Sequence, residues 1–382
     1  MTLTGLPSLG ISKLMNQTPV VTVPANDVPR ALEALALALR GELTVFITER
    51  EINGIKPIIE DLPETATNTA LIIESSGSTG KPKRIYLSAD ALISSAKATA
   101  EYFGHSGQWL LALPINYVAG AMVLVRSILS ETQPVVMNTG VSFTPEAFSL
   151  STQLMNAEHR FTSVVPTQLN RLKQLAQVDE YVLANLRKFE AILVGGQAVS
   201  SDVVDYFLFE KVNIVTTYGM AETAGGCVYN GYALGGVSLR INDSGTIAIK
   251  SSSLANGVAD ETGYFNTNDV GLLEDDWLRV LGRADRVINS GGIKIALDEV
   301  EAVASTVPGV VEVAATSISS TEWGERVGIA YVGSPEVADY LAGAVFEKLG
   351  VAAKPIRVLR VDHIPKLVSG KNDLLALQRI FS

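Results

Sequence analysis

One stretch constrains this chain more than any other. An apolar run, Thr69-Ala70-Leu71-Ile72-Ile73, leads through Glu74 into Ser75-Ser76-Gly77-Ser78-Thr79-Gly80-Lys81-Pro82-Lys83. Beyond it lie Arg84-Ile85-Tyr86-Leu87-Ser88 and a helix-like segment from Ala89 to Phe103. A loop of serine, threonine and glycine offers backbone N–H groups and small hydroxyls to an anion. Its small side chains let a polyphosphate approach the backbone closely. Lys81 and Lys83 add positive charge beside it. Two other readings compete. Composition alone favours a plain flexible loop. A Walker-type loop needs glycine, four residues, then Gly-Lys-Ser/Thr. Here Ser75 stands where the first glycine belongs, and Pro82 where the magnesium-binding hydroxyl belongs.

The rest of the chain is arranged around that loop. A length of 382 residues allows two domains and a large core. Asp27 to Arg40 reads as an amphipathic helix, with Asp27 as N-cap and Pro29 in its first turn. Leu43 to Ile47 reads as a short strand. Strand candidates at 109–113, 162–165, 191–194 and 213–217 alternate with helix candidates at 120–130, 167–176 and 200–210. That alternation argues for α/β layers. From 236 to 281 the pattern changes to hairpins, with turn chemistry at Asn242-Asp243-Ser244-Gly245 and Glu274-Asp275-Asp276. Residues 286–382 read as a small α+β unit, with helices near 296–305 and 335–349 and strands near 310–317, 326–332 and 356–361.

Composition excludes several functions. Apolar residues make up 47% and charged residues 18%, a globular balance. The net charge of −10 argues against nucleic acid as a partner, because phosphate backbones demand a basic surface. Cys227 is the single cysteine, so no intramolecular disulfide can form, and a small buried residue is the better reading than a thiol nucleophile. Residues 1–20 lack a basic segment followed by a long apolar run, and no apolar run reaches the ~18–20 residues of a membrane span. The expected setting is the cytoplasm. His105, His159 and His363 sit in no Ser/His/Asp pattern, and there is no Gly-x-Ser-x-Gly elbow, so the histidines read as structural.

Five further segments carry chemistry. Gly195-Gly196-Gln197 follows the strand 191–194. Thr217-Tyr218-Gly219-Met220-Ala221-Glu222-Thr223 follows the strand 213–217, which places it at a strand's carboxyl end, where open α/β sheets bind ligands. Tyr218 offers a flat face for a purine, and Glu222 a hard oxygen ligand for Mg²⁺. Tyr264-Phe265-Asn266-Thr267-Asn268-Asp269 carries an aspartate that reads alone as an ordinary turn residue. Gly282-Arg283-Ala284-Asp285-Arg286 precedes the glycine-rich Ser290-Gly291-Gly292-Ile293-Lys294. Pro365-Lys366-Leu367-Val368-Ser369-Gly370-Lys371 places a lysine beside a flexible glycine.

Taken in order, these segments resemble the motifs of the adenylate-forming superfamily: acyl- and aryl-CoA ligases, luciferases and peptide-synthetase adenylation domains. Ser75 to Lys83 matches that family's phosphate loop throughout. Ala221 departs from it by replacing a threonine, and Thr223 is the candidate to supply the missing hydroxyl; Asn268 departs by replacing a glycine. The resemblance implies a large multilayered α/β N-terminal domain over 1–284 and a small mobile α+β C-terminal domain over 285–382. It implies a nucleotide site made of Ser75, Ser76, Gly77, Ser78, Thr79, Gly80, Lys81, Gly195, Gly196, Gln197, Thr217, Tyr218, Gly219, Met220, Asp269 and Arg283. Glu222 and Thr79 would hold Mg²⁺, and Lys371 and Glu222 would be catalytic. Asp285 would be the hinge. Ser290, Gly291 and Gly292 would line the channel for the pantetheine arm of CoA. The implied substrates are ATP, an aromatic carboxylic acid and CoA, and a homodimer is allowed.

Leu113-Pro114-Ile115-Asn116-Tyr117-Val118-Ala119-Gly120, Arg126-Ser127, Val164-Val165-Pro166-Thr167-Gln168 and Gly225-Gly226-Cys227-Val228-Tyr229 narrow the resemblance. They are similar to the short actinobacterial form of the 2-succinylbenzoate–CoA ligases of menaquinone biosynthesis. Tyr117 departs from the histidine that many superfamily members carry. Asn116 and Arg126 are the candidates to hold a second carboxylate of the acid, although Arg126 can equally be a helix-surface residue. The alternatives left open are a CoA ligase for another acid, a non-catalytic nucleotide-binding protein of the same fold, and an adenylation enzyme that loads a carrier protein.

Overall fold

The computed structural model describes residues 18–49, 66, 68–76, 82–139, 141–366 and 372–381, with the backbone alone at Ser75, Ser76 and Pro82. The first layer is a four-stranded sheet of β1 (Val20–Pro24), β2 (Thr44–Thr48), β3 (Thr69–Ser76) and β4 (Pro82–Ser88), in that spatial order. Helix α1 (Val28–Ala38) crosses between β1 and β2, which makes that pair parallel. Asp27 caps α1 by accepting a hydrogen bond from the Arg30 N–H, as its position before Pro29 predicts. Strands β3 and β4 are antiparallel, so the serine- and glycine-rich loop joins the two arms of a hairpin. Ser88 then caps α2 (Ala89–Phe103), and Gly104 ends it in the left-handed conformation.

The second layer runs β5 (Gln108–Leu111), α3 (Val118–Leu129), β6 (Val135–Val136), α4 (Pro145–Thr152), β7 (Arg160–Val164), α5 (Pro166–Ala176), α6 (Glu180–Leu186), β8 (Ala191–Val194), α7 (Ser201–Phe209) and β9 (Ile214–Met220). Strands β6, β5, β7, β8 and β9 pair in that order and in parallel. Parallel strands need both faces covered, and their residues serve two cores in alternation. Leu111 and Leu193 pack with α1, α2 and α3, while Leu110 and Ile192 pack with α4, α5, α6 and α7. The same sheet continues antiparallel through β10 (Gly225–Tyr229), β11 (Tyr232–Ala233), β12 (Ser238–Ile241), β13 (Thr246–Lys250), β14 (Phe265–Glu274) and β15 (Trp277–Arg283). The turn between β14 and β15 places Asp275 and Asp276 at positive φ, where aspartate is among the better-tolerated residues.

A third sheet follows, made of β16 (Val287–Ser290), β17 (Ile293–Ala296), β18 (Val310–Ser320), β19 (Gly324–Gly333) and β20 (Arg357–Arg360). It is packed by α8 (Leu297–Ser305), α9 (Ala338–Leu349) and α10 (Leu374–Ile380) around Val300, Ile329, Tyr331 and Leu341 on one side and Ala330, Leu377 and Phe381 on the other. Arg286, immediately after the link from β15, clamps this sheet. Its guanidinium meets Asp298 at 2.7 Å, Glu301 at 2.6 Å and the Ala315 carbonyl at 2.9 Å. No helix among the described residues is long and apolar enough to cross a membrane. Among the elements the sequence reading missed are β1, β6, α4, α6 and α10, and it ran α9 together with the short turn at 335–337.

Candidate active site

The site forms at the carboxyl end of β9. Here Met220 leads into a single turn, Ala221–Thr223, after which Ala224 and Gly225 take positive φ and the chain doubles back as β10. Gly219 permits that reversal, since a Cβ there would stand 2.1 Å from the Gly225 carbonyl oxygen. The reversal projects the Glu222 carboxylate, whose side chain is 15% exposed, toward the hairpin arm that leaves the phosphate loop. Lys83 Nζ lies 3.3 Å from Glu222 Oε1. Two segments 139 residues apart thus meet where the sequence reading requires phosphate and metal to meet.

Tyr218 makes a second junction. Its hydroxyl donates to Asp269 Oδ2 at 2.9 Å and so joins β9 to β14. Burial, followed by the charge of Asp269, pushes the Tyr218 phenol well above its ordinary titration. Burial also raises the Asp269 carboxyl, against the pull of the Tyr218 hydrogen bond and the Arg283 charge. Asp269 lies on a strand, not in a turn, and pairs across the ladder with Arg283. Arg283 in turn meets Asp285 at 3.1 Å, in the short turn that leads to the third sheet. Gly195 packs against Thr217, whose hydroxyl donates to the Val194 carbonyl at 3.2 Å; a Cβ on Gly195 would stand 2.4 Å from that hydroxyl oxygen. Gly196 is at positive φ, and Gly196 and Gln197 are exposed beside the β9 end. Gly195, Thr217, Tyr218, Gly219, Met220, Glu222, Asp269 and Arg283 are therefore tied into one region by strand pairing and side-chain bonds.

Other expectations are corrected. Thr223 cannot replace the hydroxyl missing at Ala221. It is fully buried, and its Oγ1 is committed to the Met220 N–H, the Met220 carbonyl and the Gly225 carbonyl. Ser290 is fully buried in the β16–β17 hairpin, and its hydroxyl has no hydrogen-bond partner among the described residues, which does not match a residue lining an open channel. Gly291 tucks against the Trp323 ring, leaving Gly292 exposed at the turn. Asn116 and Arg126 are not brought together. Asn116 sits in the turn before α3, and from Val118 the helix axis carries Arg126 about 12 Å further. Nor is Arg126 a surface residue. It is 6% exposed, its guanidinium carbon lies 4.9 Å from the centre of the Trp109 ring, and no carboxylate among the described residues pairs with it. Burial pushes its pKa down, and only Tyr229 opposes that. Tyr229 in turn pairs with Thr217 across β9 and β10.

Gly77, Ser78, Thr79, Gly80, Lys81 and Lys371 lie outside the described residues, as do the side chains of Ser75 and Ser76. The segment carrying Lys371 is closed at its base, where Lys366 bonds Asn372 Oδ1 at 2.9 Å. Cys227 is buried and burial pushes its thiol up to about 12, in keeping with a packing role. The donor set fits a magnesium nucleotide. Mg²⁺ takes one or two carboxylates and fills its other positions with phosphate oxygens and water. Glu222 supplies such a carboxylate, and Lys83 marks the side from which the phosphates' charge would approach.

The profile of the AMP-binding enzyme family matches residues 14–266, and that of the AMP-binding enzyme C-terminal domain matches 299–371. A probable 2-succinylbenzoate–CoA ligase of Mycobacterium tuberculosis is 36% identical over 330 residues, covering 82% of this chain and 85% of the relative. A 2-succinylbenzoate–CoA ligase of Listeria innocua is 29% identical over 366 residues, covering 88% and 76%. In fold, the chain is similar to O-succinylbenzoate coenzyme A synthetase from Bacillus subtilis in complex with ATP and magnesium ion. The TM-score is 0.78 at 19% identity, covering 96% of this chain and 90% of the other.

Proposed function

The chain belongs to the AMP-binding, adenylate-forming enzymes, and from that premise we propose that it joins 2-succinylbenzoate to CoA through an acyl-adenylate. In the first half-reaction an oxygen of the succinyl carboxylate attacks the α-phosphorus of MgATP. The bond to the β-phosphate breaks and pyrophosphate leaves. In the second, the CoA thiolate attacks the acyl carbonyl, the C–S bond forms and AMP leaves with the electron pair of the broken C–O bond.

Each residue's part follows from its chemistry. The 75–83 loop and Lys83 would cradle the phosphates, and Glu222, with Thr79, would hold the magnesium that enters with ATP and offsets phosphate charge. Asp269, oriented by Tyr218, would accept from the ribose hydroxyls, with Arg283 beside it. Gly195, Gly196 and Gln197 would border the adenine. Lys371 would stabilise the negative charge that develops as the carboxylate attacks. Residues 1–284 and 285–382 would move as two bodies about Asp285, and the clamp of Arg286 on Asp298 and Glu301 would make the smaller one turn as a unit. The cytoplasm, where ATP and CoA are available, is the setting this reaction requires.

One observation carries the choice of acid: Arg126, a buried guanidinium without a carboxylate partner among the described residues. An isolated charge away from water is unfavourable unless something pairs with it. A ring carboxylate of the substrate would be that partner. The relatives named above support the same acid. The test is a panel of carboxylic acids assayed for AMP and pyrophosphate release with CoA present. The proposal expects 2-succinylbenzoate to turn over with the highest kcat/KM. Turnover of benzoates or fatty acids without 2-succinylbenzoate would reject it.

A further inference from the structure

At the amino-terminal edge of the parallel strands, opposite the nucleotide motifs, three side chains converge. His105 follows Gly104 beyond α2, His159 precedes β7 and Glu190 precedes β8. The two imidazoles stack with centroids 3.6 Å apart and planes at 27°. Glu190 Oε2 lies 3.3 Å from His159 Nδ1 and 3.6 Å from His105 Nε2.

The main chain imposes this approach. Gly107 passes so near His159 that a Cβ on it would stand 2.3 Å from the His159 carbonyl oxygen. The Gln108 N–H donates to that same oxygen at 2.9 Å, and the Glu190 N–H donates to the Arg160 carbonyl at 2.8 Å. Asn213 Nδ2 donates to the Glu190 carbonyl at 2.6 Å. The cluster is therefore held by backbone contacts, independently of any bond among the three side chains. One of those side chains is left unsatisfied. His105 Nε2 is buried and makes no hydrogen bond among the described residues, since its 3.6 Å approach to Glu190 is too long for one.

We propose that His105, His159 and Glu190 bind a divalent transition-metal ion, with zinc as the best match, at a site separate from that of the nucleotide. The three donor atoms lie within 4.8 Å of one another. Metal–donor bonds of about 2.0–2.1 Å in a tetrahedron set the donors roughly 3.3–3.4 Å apart. The separations of 3.3 and 3.6 Å from Glu190 are close to that, whereas rings stacked at 27° do not both aim a lone pair at one point, so binding requires one imidazole to turn out of the stack. Two imidazole nitrogens with one carboxylate oxygen suit zinc, whereas magnesium and calcium take oxygen ligands. The side chains are 30–37% exposed, which leaves a water to complete the tetrahedron.

The ion would tie together the segments leading into β5, β7 and β8. It would take no part in acyl transfer, because the length of β7 places this edge roughly 13–17 Å from the strand ends that carry the nucleotide motifs. Its effect would be to stabilise the sheet that positions β9.

The experiment uses the full-length chain without a histidine tag, stripped with chelator and dialysed against zinc or cobalt. Bound metal is counted by elemental analysis, and the cobalt form is examined in the visible range. The expected result is one zinc per chain, a raised Tm, and cobalt absorption of tetrahedral nitrogen–oxygen type. Glu190→Gln and His105→Asn should each weaken zinc binding at least about 100-fold and leave the rate of adenylation unchanged. If a variant fails to fold, the wild-type stoichiometry and cobalt spectrum decide alone. No retained ion, an octahedral cobalt spectrum, or undiminished binding in both folded variants would overturn the proposal.

Discussion

Removing the Tyr218 hydroxyl tests how the nucleotide site is wired. In Tyr218→Phe the Asp269 carboxylate loses a donor at 2.9 Å, while the buried ring stays. A hydrogen bond to a charged group is worth about 1.5–3 kcal/mol when fully buried. Asp269 is only half-buried, so solvent takes back part of this and about 1–1.5 kcal/mol is expected. The sign with pH follows from linkage. The Asp269 carboxyl titrates above its ordinary value in the folded protein, and the Tyr218 bond is one of the forces holding it down. Without that bond the folded-state value rises further. The unfolded chains titrate alike, so the added penalty applies in full above the variant's folded value and disappears as pH falls below the wild type's folded value. Urea unfolding at neutral pH should show Tyr218→Phe less stable by about 1–1.5 kcal/mol. The gap should close as pH is lowered toward the acid limit of the wild type. KM for ATP should rise roughly five- to tenfold, because a less firmly oriented carboxylate holds the ribose poorly. A stability loss that is the same at every pH would show that packing, not the hydrogen bond, links β9 to β14.

Three further outcomes follow from the site. Arg126→Met should raise KM for the acid at least tenfold while leaving stability unchanged or improved, since it removes a buried charge with no carboxylate partner among the described residues; chemical unfolding beside steady-state kinetics measures both. Glu222→Gln should lower magnesium-dependent turnover by two or more powers of ten, yet cost under about 1 kcal/mol of stability, because its Lys83 partner is 59% exposed; kcat measured across a magnesium titration, with a parallel melt, checks it. Lys371→Ala should slow acyl-adenylate formation by roughly two to three powers of ten and spare thioester formation from pre-made acyl-adenylate, with the reverse pattern in Asp285→Pro; each half-reaction is timed separately in both variants.

Much of this architecture is legible in the chain because local chemistry and tertiary context agree. Asp27 before Pro29 and Ser88 before Ala89 mark helix starts that the structure keeps. Apolar runs of four to seven residues become the parallel strands because both of their faces are covered. What escapes the reading is long-range or short-lived in sequence. Lys83 announces positive charge, but nothing local points to Glu222. Helix α3 is apolar on every side, the mark of a buried helix, and that was the available sign that Arg126 lies inside and not on a surface. Helices α4 and α6 span two turns each, too short for a periodic pattern. Thr223 invites a functional reading by its position in the motif, and only the positive φ of Ala224 and Gly225 reveals that its hydroxyl is committed to the turn. His105 and His159 read singly as structural residues and Glu190 falls in no motif, since their meeting depends on the parallel order of β5, β7 and β8.

The account rests on adenylation that precedes, and does not need, the thiol. The most direct measurement is exchange of labelled pyrophosphate into ATP with 2-succinylbenzoate and magnesium present and CoA absent. The account predicts exchange that depends on the acid, and label-free AMP and thioester once CoA is added. ADP and phosphate as products, or exchange that proceeds equally well without the acid, would contradict it.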